Sequence, residues 1–392
     1  MRVLHLNHYG SMKGGVQGYI ADVVMGLEMA GHQSRLMYFA PDDPGDPVAN
    51  GTHAFLPQWP SSPAQAVQAI EQVIAGWCPD VAYVHQVDHP GLVRWIASRL
   101  PTVAYVHGPY PVCPGSAQYL RRSERVCPHR SGAICLVKAQ TERCCWGHNP
   151  VRHLRKLAKV RAFLNAYQEI PSILVASCYM KELLQRNGVP ASRISVLAPF
   201  LVDQDGLAPA SRPHNGNTVL FAGRLVPEKG LHHLIRSLSQ VRSEWQLLVA
   251  GDGPERESYH SLANQLGVVD STHFLGWLDH AEMRRVIRES ACVAVPSLWP
   301  EPFGRIGPEA FLEGRPVVAF DVGGIRDWLE HRKTGYLVGP GDVHGLSESL
   351  RSLLTSPELC SRMGRYARRK AVSAWDRSRH TEALLDAFAI RQ

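Results

Sequence analysis

Several features that would assign a chain to a familiar class are missing from this sequence. No run of apolar residues approaches the roughly 20 that a membrane-spanning helix needs. The N-terminus, MRVLHLNHYG, lacks the apolar core of roughly 7–15 residues found in a secretory signal and instead predicts a buried strand. Aromatic residues, 8% of the chain, are not interleaved with basic ones as on a nucleic-acid stacking platform. We therefore expect a cytoplasmic protein that binds no nucleic acid.

Two common nucleotide and metal motifs are also missing. No predicted strand is followed by Gly-x-Gly-x-x-Gly with an acidic residue about 20 positions further on, which argues against a Rossmann dehydrogenase. No Asp-x-Asp pair lies at the edge of a predicted strand. We therefore expect that catalysis requires no cofactor and neither magnesium nor manganese.

The composition that remains is that of a globular protein with more than one domain. Apolar residues make up 45% of the 392 residues and charged residues 20%, and this length suits two domains of ordinary size. The formal charge of +7 is compatible with phosphorylated substrates, an anionic membrane face or nucleic acid. The charge alone does not choose among these partners.

The first half opens with the strand, glycine loop, helix and strand of a nucleotide-binding sheet. The pair Gly14-Gly15 follows the first strand and lets the backbone approach a phosphate closely. His107 ends a later strand, so its imidazole is expected to point from the sheet edge into a cleft. The predicted strands of this half are 2–6, 34–39, 81–85, 102–107, 173–176 and 194–197.

A stretch rich in Pro, Gly and Asp, residues 201–217, is predicted to be a linker. We place the domain boundary there. The prediction is a first domain of residues 1–203, a second domain of residues 204–375, and a helix in 376–392 that packs back on the first domain.

The second half repeats the opening plan. Strand 219–222 is followed by the loop GRLVPEKG, which carries the cations Arg224 and Lys229, and by a helix. Such a loop can clamp a diphosphate, because arginine offers a planar fork of donors and lysine a mobile point charge.

The segment 296–318, PSLWPEPFGRIGPEAFLEGRPVV, carries the most informative pattern. A buried strand is predicted before it, and a helix is predicted to begin at Glu309 with Pro308 in its first turn. The turn between them lies at the carboxyl end of a strand, where ligands collect in open α/β sheets. Glu301 and Glu309, eight positions apart, predict a site for a charged, hydroxyl-rich ligand.

The nonapeptide EPFGRIGPE resembles the Glu-x7-Glu motif of retaining glycosyltransferases of family 4, and GRLVPEKG resembles their pyrophosphate loop. The resemblance covers nearly the whole chain apart from 113–150. It implies an α/β GT-B fold, with two Rossmann-like domains facing a cleft. It also implies transfer of a hexosyl unit from a UDP- or GDP-sugar to an acceptor hydroxyl with retention, by same-face attack in which the departing diphosphate deprotonates the acceptor.

The same resemblance implies roles for individual residues. Glu301 would contact the donor sugar, Glu309 would bind the ribose diol, and His107 would lie beside the C6 hydroxyl of the sugar. Arg224 and Lys229 would stabilise the leaving diphosphate. The other implied donor-binding residues are Gly14, Gly15, Leu275 (near the base), and the backbone of Phe303, Gly304, Arg305 and Ile306.

Other functions remain open from the sequence. The alternatives are a phosphorylase or sugar-phosphate synthase of the same fold, and a catalytically dead protein that binds nucleotide sugars. For a transferase, the acceptor is a glycan, a lipid-linked glycan or a small molecule, which places the protein in carbohydrate biosynthesis.

The window after His107 is rich in cysteine and poor in hydrophobic periodicity, so apolar contacts are not expected to hold it. Three interpretations remain: a structural metal site (zinc before iron–sulfur), a loop of free thiols, and disulfides. A cytoplasmic location favours metal over disulfides, although no Cys-x2-Cys pair is present. The window contains Cys113, Cys127, Cys135, Cys144 and Cys145, together with His129 and His148.

The helix predicted at 151–166 alternates basic and apolar residues. It either packs its apolar face inward and leaves its charges in solvent, which we favour, or lies on an anionic membrane. Peripheral contact with the inner face of the membrane therefore stays an alternative.

Overall fold

The structure, a computed structural model, describes residues 1–9, 15–40, 53–55, 63–145, 147, 149–201 and 217–389. Within these residues no helix combines the length and apolarity that crossing a bilayer requires. The predicted linker lies almost entirely outside the described residues.

The six strands predicted in the first half are present, each within three residues of its predicted bounds, and three further strands were not predicted. Its strands are β1 (Arg2–Tyr9), β2 (Gln33–Ala40), β3 (His53–Phe55), β4 (Val81–Val84), β5 (Thr102–Val106), β6 (Tyr119–Leu120), β7 (Arg125–Val126), β8 (Ser172–Val175) and β9 (Ile194–Val196). Its helices are α1 (Gly15–Met29), α2 (Pro63–Trp77), α3 (Pro90–Ala97), α4 (Ile134–Thr141), α5 (Pro150–Tyr167) and α6 (Cys178–Arg186).

Seven of these strands form one parallel sheet in the order β3-β2-β1-β4-β5-β8-β9, and β6 and β7 form a separate antiparallel hairpin. Every residue of β4, β5 and β8 is buried, as expected when helices cover both faces of a parallel sheet. Ser177 begins α6 by accepting a hydrogen bond from the Met180 amide, and Asn149 caps α5 in the same way.

The second half repeats this architecture. Its strands are β10 (Thr218–Ala222), β11 (Gln246–Ala250), β12 (Thr272–Gly276), β13 (Cys292–Val295), β14 (Val317–Phe320) and β15 (Gly335–Val338). Its helices are α7 (Leu231–Leu238), α8 (Arg256–Gln265), α9 (His280–Glu289), α10 (Ile306–Leu312), α11 (Ile325–Trp328), α12 (Val343–Leu354), α13 (Pro357–Ala374) and α14 (Arg377–Ala389).

These strands form a second parallel sheet in the order β12-β11-β10-β13-β14-β15. In each sheet the first strand, β1 or β10, lies inside the sheet. The next strands are added on one side of it, and the later strands on the other side. This reversal of strand order leaves a crevice at the carboxyl ends of the strands. The two parallel sheets with flanking helices confirm the predicted α/β, GT-B architecture.

The last helix, α14, returns to the first half. His380 Nε2 lies 3.1 Å from the hydroxyl of Tyr19 on α1, and His380 Nδ1 lies 2.9 Å from the Ala198 carbonyl oxygen. Phe388 packs edge-on against Tyr83 of β4, with ring centroids 5.2 Å apart.

Two predictions about helices need adjustment. Helix α10 begins at Ile306, so Pro308 is its third residue and Glu309 still lies in its first turn. On α5, Leu157 and Val160 are buried as the favoured interpretation requires, but Leu154 is 56% exposed. The apolar face of α5 is therefore narrower than its sequence pattern predicts.

Candidate active site

A large cavity lies where the two sheets face each other. Its empty volume is about 1140 Å³, counted out to its open mouth. The first domain lines it with Gly15 and Tyr19 of α1 and with His107, which follows β5. The second domain lines it with Lys229, which follows β10, and with most of residues 297–306, which follow β13. Parallel strands of both domains thus end at one space, the usual ligand position in such folds.

An ion pair within this cavity joins two of the predicted site residues. Nζ of Lys229 lies 2.6 Å from Oε1 of Glu301, whose side chain is only 7% exposed. The same oxygen accepts hydrogen bonds from Ser297 Oγ at 2.6 Å and from Trp299 Nε1 at 2.9 Å. No described residue donates to Oε2 of Glu301, so that oxygen can accept a hydrogen bond from a ligand hydroxyl. A buried carboxylate is costly unless it is paired in this way.

Glycines hold the backbone on both sides of this pair. Gly323 has a φ of +56°, and a Cβ placed there would lie 2.4 Å from the Glu301 carbonyl oxygen. The amide of Gly324 donates to that oxygen at 2.7 Å. Gly230, just after Lys229, has a φ of +70°, and its Cβ would lie 1.9 Å from the Pro296 carbonyl oxygen. Both positions combine left-handed backbone with close approach, which only glycine allows.

Arg305 connects the second domain to the first. Its Nη2 lies 3.0 Å from Oδ2 of Asp22 on α1, and its Nε lies 3.3 Å from Oε1 of Glu309. Burial disfavours the charge on Arg305, but the carboxylates of Glu309 and Asp22 outweigh this and raise its pKa above the ordinary value. The side chain of Arg305 therefore bridges the cleft, whereas the sequence resemblance implied a role only for its backbone.

Arg224 stands at the same end of the second domain and is exposed. Among the residues that the structure describes, no carboxylate forms an ion pair with its guanidinium. The charge of Arg224 is close enough to act on Arg121 of the first domain, whose pKa is lowered mainly by burial. Arg224 is thus a cation whose charge none of the described carboxylates neutralises.

The hairpin β6–β7 crosses from the first domain to the loop that carries Arg224 and Lys229. Arg121 donates to the carboxylate of Glu228. Glu124, at the turn of the hairpin, lies 3.5 Å from His232 Nε2 and 3.3 Å from His233 Nε2 at the start of α7. The cysteine-rich insertion therefore contacts the second domain beside the predicted pyrophosphate loop.

His107 is the outermost of three linked histidines. Its Nε2 lies 3.1 Å from Nδ1 of His85, and Nε2 of His85 lies 3.2 Å from Nδ1 of His5. Nε2 of His5 lies 3.3 Å from the hydroxyl oxygen of Ser34. Burial lowers the pKa of His107 to about 3 and places that of His85 well below its ordinary value. His107 and His85 are therefore neutral near pH 7, and a single hydrogen is shared between the two nitrogens that join them.

Some predicted residues lie apart from the cavity lining. Gly14 lies outside the described residues. Leu275, near the end of β12 and 39% exposed, is not among the residues that line the cavity, and neither is Arg224. Glu309 reaches the cavity region through its contact with Arg305. The lining does include Phe303, Gly304, Arg305 and Ile306.

A second cavity adjoins the first on the side of the first domain. Its empty volume is about 890 Å³, counted to its mouth, and it shares Val16, His107 and Trp299 with the larger cavity. Polar side chains contribute to its lining, among them His8, Gln86, Asp88 and Ser116. The two cavities therefore meet beside His107.

The cysteine-rich window folds around a third, smaller cavity. All five of its cysteines line this cavity, together with His129, whereas His148 lies outside the described residues. All nine cysteines of the chain are free thiols in the structure, so no disulfide closes the window.

Two family models match the chain in tandem. "Glycosyltransferase Family 4" matches residues 13–202, and "Glycosyl transferases group 1" matches residues 207–370. Glycogen synthase of Mycobacterium tuberculosis is 30% identical over 306 residues, which are 76% of this chain and 66% of the synthase. The chain thus matches just under two thirds of that relative's length.

Solved structures match over nearly the full length. HepE from Anabaena, in complex with UDP-glucose, superposes with a TM-score of 0.71 at 19% identity, covering 99% of both chains. Sucrose-phosphate synthase from Thermosynechococcus elongatus has a TM-score of 0.75 at 20% identity, covering 99% of this chain and 98% of the synthase. At such identities these structures show the fold alone.

The two family models and this fold establish the class: the chain belongs to the glycosyltransferases of GT-B fold. Several residues of the cleft were nevertheless missed from sequence, namely Asp22, Arg121 and the inner histidines His5 and His85. For the histidines a signal existed, because each of three predicted strands carries or ends in one histidine.

Proposed function

We propose that the protein is a retaining glycosyltransferase that moves a hexosyl unit from a UDP- or GDP-sugar to an acceptor hydroxyl. The observation that carries the proposal is the Lys229–Glu301 pair in the interdomain cavity, 2.6 Å between charged atoms, within the Glu-x7-Glu segment. HepE in complex with UDP-glucose, a protein of the same fold, supports a nucleotide sugar as the donor.

In this proposal the cations of the second domain face the leaving group. The bond between the anomeric carbon and the diphosphate oxygen breaks, and negative charge grows on the diphosphate. Arg224, which no described carboxylate neutralises, and Lys229 would stabilise that charge electrostatically. Two protein cations at this loop could do this without a divalent ion, so turnover should need no added magnesium or manganese.

Glu301 would hold the sugar rather than attack it. Its Oε1 is already occupied by three donors, and its Oε2 can accept a bond from a sugar hydroxyl. The acceptor oxygen would form its bond to the anomeric carbon on the face that the diphosphate leaves. The acceptor proton would pass to an oxygen of the departing diphosphate, so no side chain is required as nucleophile or base.

His107 would contribute a neutral hydrogen bond to the sugar, because its pKa of about 3 excludes a positive charge near neutral pH. The adjoining cavity, with His8, Gln86, Asp88 and Ser116, is our candidate for the acceptor, since it meets the donor cavity at His107. Its polar lining suits a hydroxyl-rich acceptor of the glycan type.

The test is a panel of donors followed by analysis of the product. Thermal stabilisation of the purified protein should be measured with UDP-, GDP- and ADP-sugars, with NAD as the control. Stabilisation by one sugar nucleotide, and its loss in Lys229→Ala, would support the donor site. The anomeric configuration of the product, read by proton NMR, then tests retention. No shift with any sugar nucleotide, together with turnover of a sugar phosphate or free phosphate, would instead identify a phosphorylase or sugar-phosphate synthase.

A further inference from the structure

The cysteine-rich window brings thiols from distant positions of the chain to one place. Its five cysteines span 33 residues, yet all line a single cavity with an empty volume of about 390 Å³. Cys144 and Cys145 contact each other through their side chains. Cys113 acts electrostatically on Cys127, Cys127 on Cys135, and Cys135 on Cys145, so the thiols form one connected group.

Apolar packing holds only part of the window, chiefly through the buried Tyr119 and Leu120 of its hairpin. Its helix α4 buries only Ala139. Among the described residues, six other than glycine have a positive φ, and four of them are in this window: Ser116, Gln118, Glu124 and Arg143. Such backbone is costly and persists only where the surroundings enforce it. Gly115 adds a tight contact, since a Cβ there would lie 2.2 Å from the Cys144 carbonyl oxygen.

We propose that these thiols, as thiolates, bind one metal centre that holds the insertion in shape. Its ligands would be Cys113, Cys127, Cys135 and one of the adjacent pair Cys144 and Cys145. Thiolates select zinc and iron–sulfur clusters over harder cations, and four of them complete either centre. The role of the centre is structural, because the cavity is separate from the one that holds Lys229 and Glu301.

The spacing of the thiols bears on the identity of the metal. Among the described residues, no three cysteine sulfurs lie within 4.8 Å of one another. Around a single zinc ion, with Zn–S bonds of about 2.3 Å, all four sulfurs would be closer than that. A cluster of several irons accepts more widely separated thiolates. In these positions the thiols are too far apart to bind a single zinc ion together, so zinc requires the side chains to move inward.

The centre would also act on the donor site. The hairpin β6–β7 lies between Cys113 and Cys127 and contacts the second domain through Arg121 and Glu228. A centre that fixes the ends of this hairpin fixes its contact with the loop of Arg224 and Lys229. This effect on the donor site rests on the proposed glycosyl transfer. We expect that loss of the metal weakens binding of the donor.

The test is the metal content of the full-length protein, purified without chelators and without oxygen. Inductively coupled plasma mass spectrometry, acid-labile sulfide and the visible absorption spectrum distinguish the two centres. About one zinc in a colourless protein, or several irons with matching sulfide and broad visible absorption, would each support the centre. A folded protein that holds neither metal, as isolated or after incubation with zinc or with ferrous iron and sulfide, would overturn it.

Variants then assign the ligands. Cys113→Ser, Cys127→Ser and Cys135→Ser should each lose the metal, and so should one of Cys144→Ser and Cys145→Ser. Cys78→Ser and Cys178→Ser are matched controls, because both cysteines are exposed and lie outside the window. Equal metal in Cys113→Ser and Cys78→Ser would contradict the assignment. Should the ligand variants not fold, release of the metal from the wild type by a mercurial thiol reagent still shows that cysteine thiolates bind it, and no release would contradict thiolate ligation.

A further variant separates this proposal from that of the function. Arg121→Ala should keep its metal and bind the sugar nucleotide several-fold more weakly. Metal present with unchanged donor affinity in Arg121→Ala would remove the link to the donor site and leave the centre itself intact. Metal content is read without any donor, so failure of the proposed function does not affect it.

Discussion

Nδ1 of His85 lies 3.1 Å from Nε2 of His107, which connects the cleft to histidines in the core of the first sheet. Burial lowers the pKa of His107 to about 3 and that of His380, on α14, to about 4. Near pH 6.5 the unfolded chain therefore begins to take up protons that the folded chain cannot accept. Protons bound only by the unfolded state favour unfolding.

We expect the free energy of unfolding to fall as the pH drops from 6.5 towards 4. Each such histidine contributes a slope of about 1.4 kcal/mol per pH unit in this window. Above pH 6.5 both states hold these rings neutral, and the histidines cause no pH dependence. Urea unfolding at pH 7.5, 6.5 and 5.5 measures the slope. His107→Asn should lower this slope by about 1.4 kcal/mol per pH unit, which corresponds to one proton. An unchanged slope would show that His107 is protonated in the folded protein.

Lys229→Ala should lower turnover by at least about 100-fold, by analogy with the loss of one preorganised donor to a growing charge. The variant also leaves the buried Glu301 with only Ser297 and Trp299 as partners. Steady-state kinetics with the donor found by thermal stabilisation measures the effect. Lys333→Ala is the control, because Lys333 is an exposed lysine that also pairs with a glutamate. Turnover equal to that of the control would remove Lys229 from the mechanism.

Gly323→Ala should damage the site although it changes no charge. Its Cβ would lie 2.4 Å from the Glu301 carbonyl oxygen, so the backbone of Glu301 must move. Gly341→Ala is a matched control: Gly341 also has left-handed backbone, with a φ of +78°, but nothing lies within 4 Å of its Cβ. The control should lose about 1 kcal/mol of stability for the backbone conformation alone.

We expect Gly323→Ala to lose more stability than Gly341→Ala and, in addition, to bind the donor more weakly. Chemical denaturation and donor titration of both variants give the comparison. Equal losses in the two variants would mean that the contact with Glu301 relaxes at no cost.

The local elements of this protein could be predicted from sequence because each depends on short-range pattern. Predicted strand 102–107 differs from β5 by one residue at its end, and the other predicted elements mostly differ by one to three residues at their ends. The Glu301 and Lys229 positions followed from motifs of the same kind. The ion pair between Lys229 and Glu301 could not be predicted from these motifs, because it depends on the Gly323–Gly324 turn and on Gly230 bringing two loops together.

The contacts between domains could not be predicted. Arg305 and Asp22 are separated by 283 residues, and their ion pair exists only because the two sheets face each other at this angle. The hairpin contact of Arg121 with Glu228 has the same origin. The three-histidine chain differs, because β1, β4 and β5 are neighbours in the common order of such sheets. An assumed strand order would have brought His5, His85 and His107 together.

Glu309→Gln should weaken donor binding while it leaves the fold intact. Glu309 is part of the Arg305 contact, at 3.3 Å, and its side chain is 27% exposed, so a ligand can reach it. Loss of a charged acceptor for a ribose diol removes hydrogen bonds worth about 1.5–3 kcal/mol, or roughly ten- to more than a hundred-fold in affinity. Titration with the nucleoside diphosphate measures this.

Asp22→Asn is the control for that experiment, because it removes the other carboxylate of Arg305 from the opposite domain. The wild type should bind a ribonucleoside diphosphate more tightly than its 2′-deoxy analogue. If Glu309 binds ribose, this preference should shrink in Glu309→Gln and stay unchanged in Asp22→Asn. If Glu309 merely orients Arg305, both variants should weaken the two nucleotides equally, and the ribose role would be contradicted.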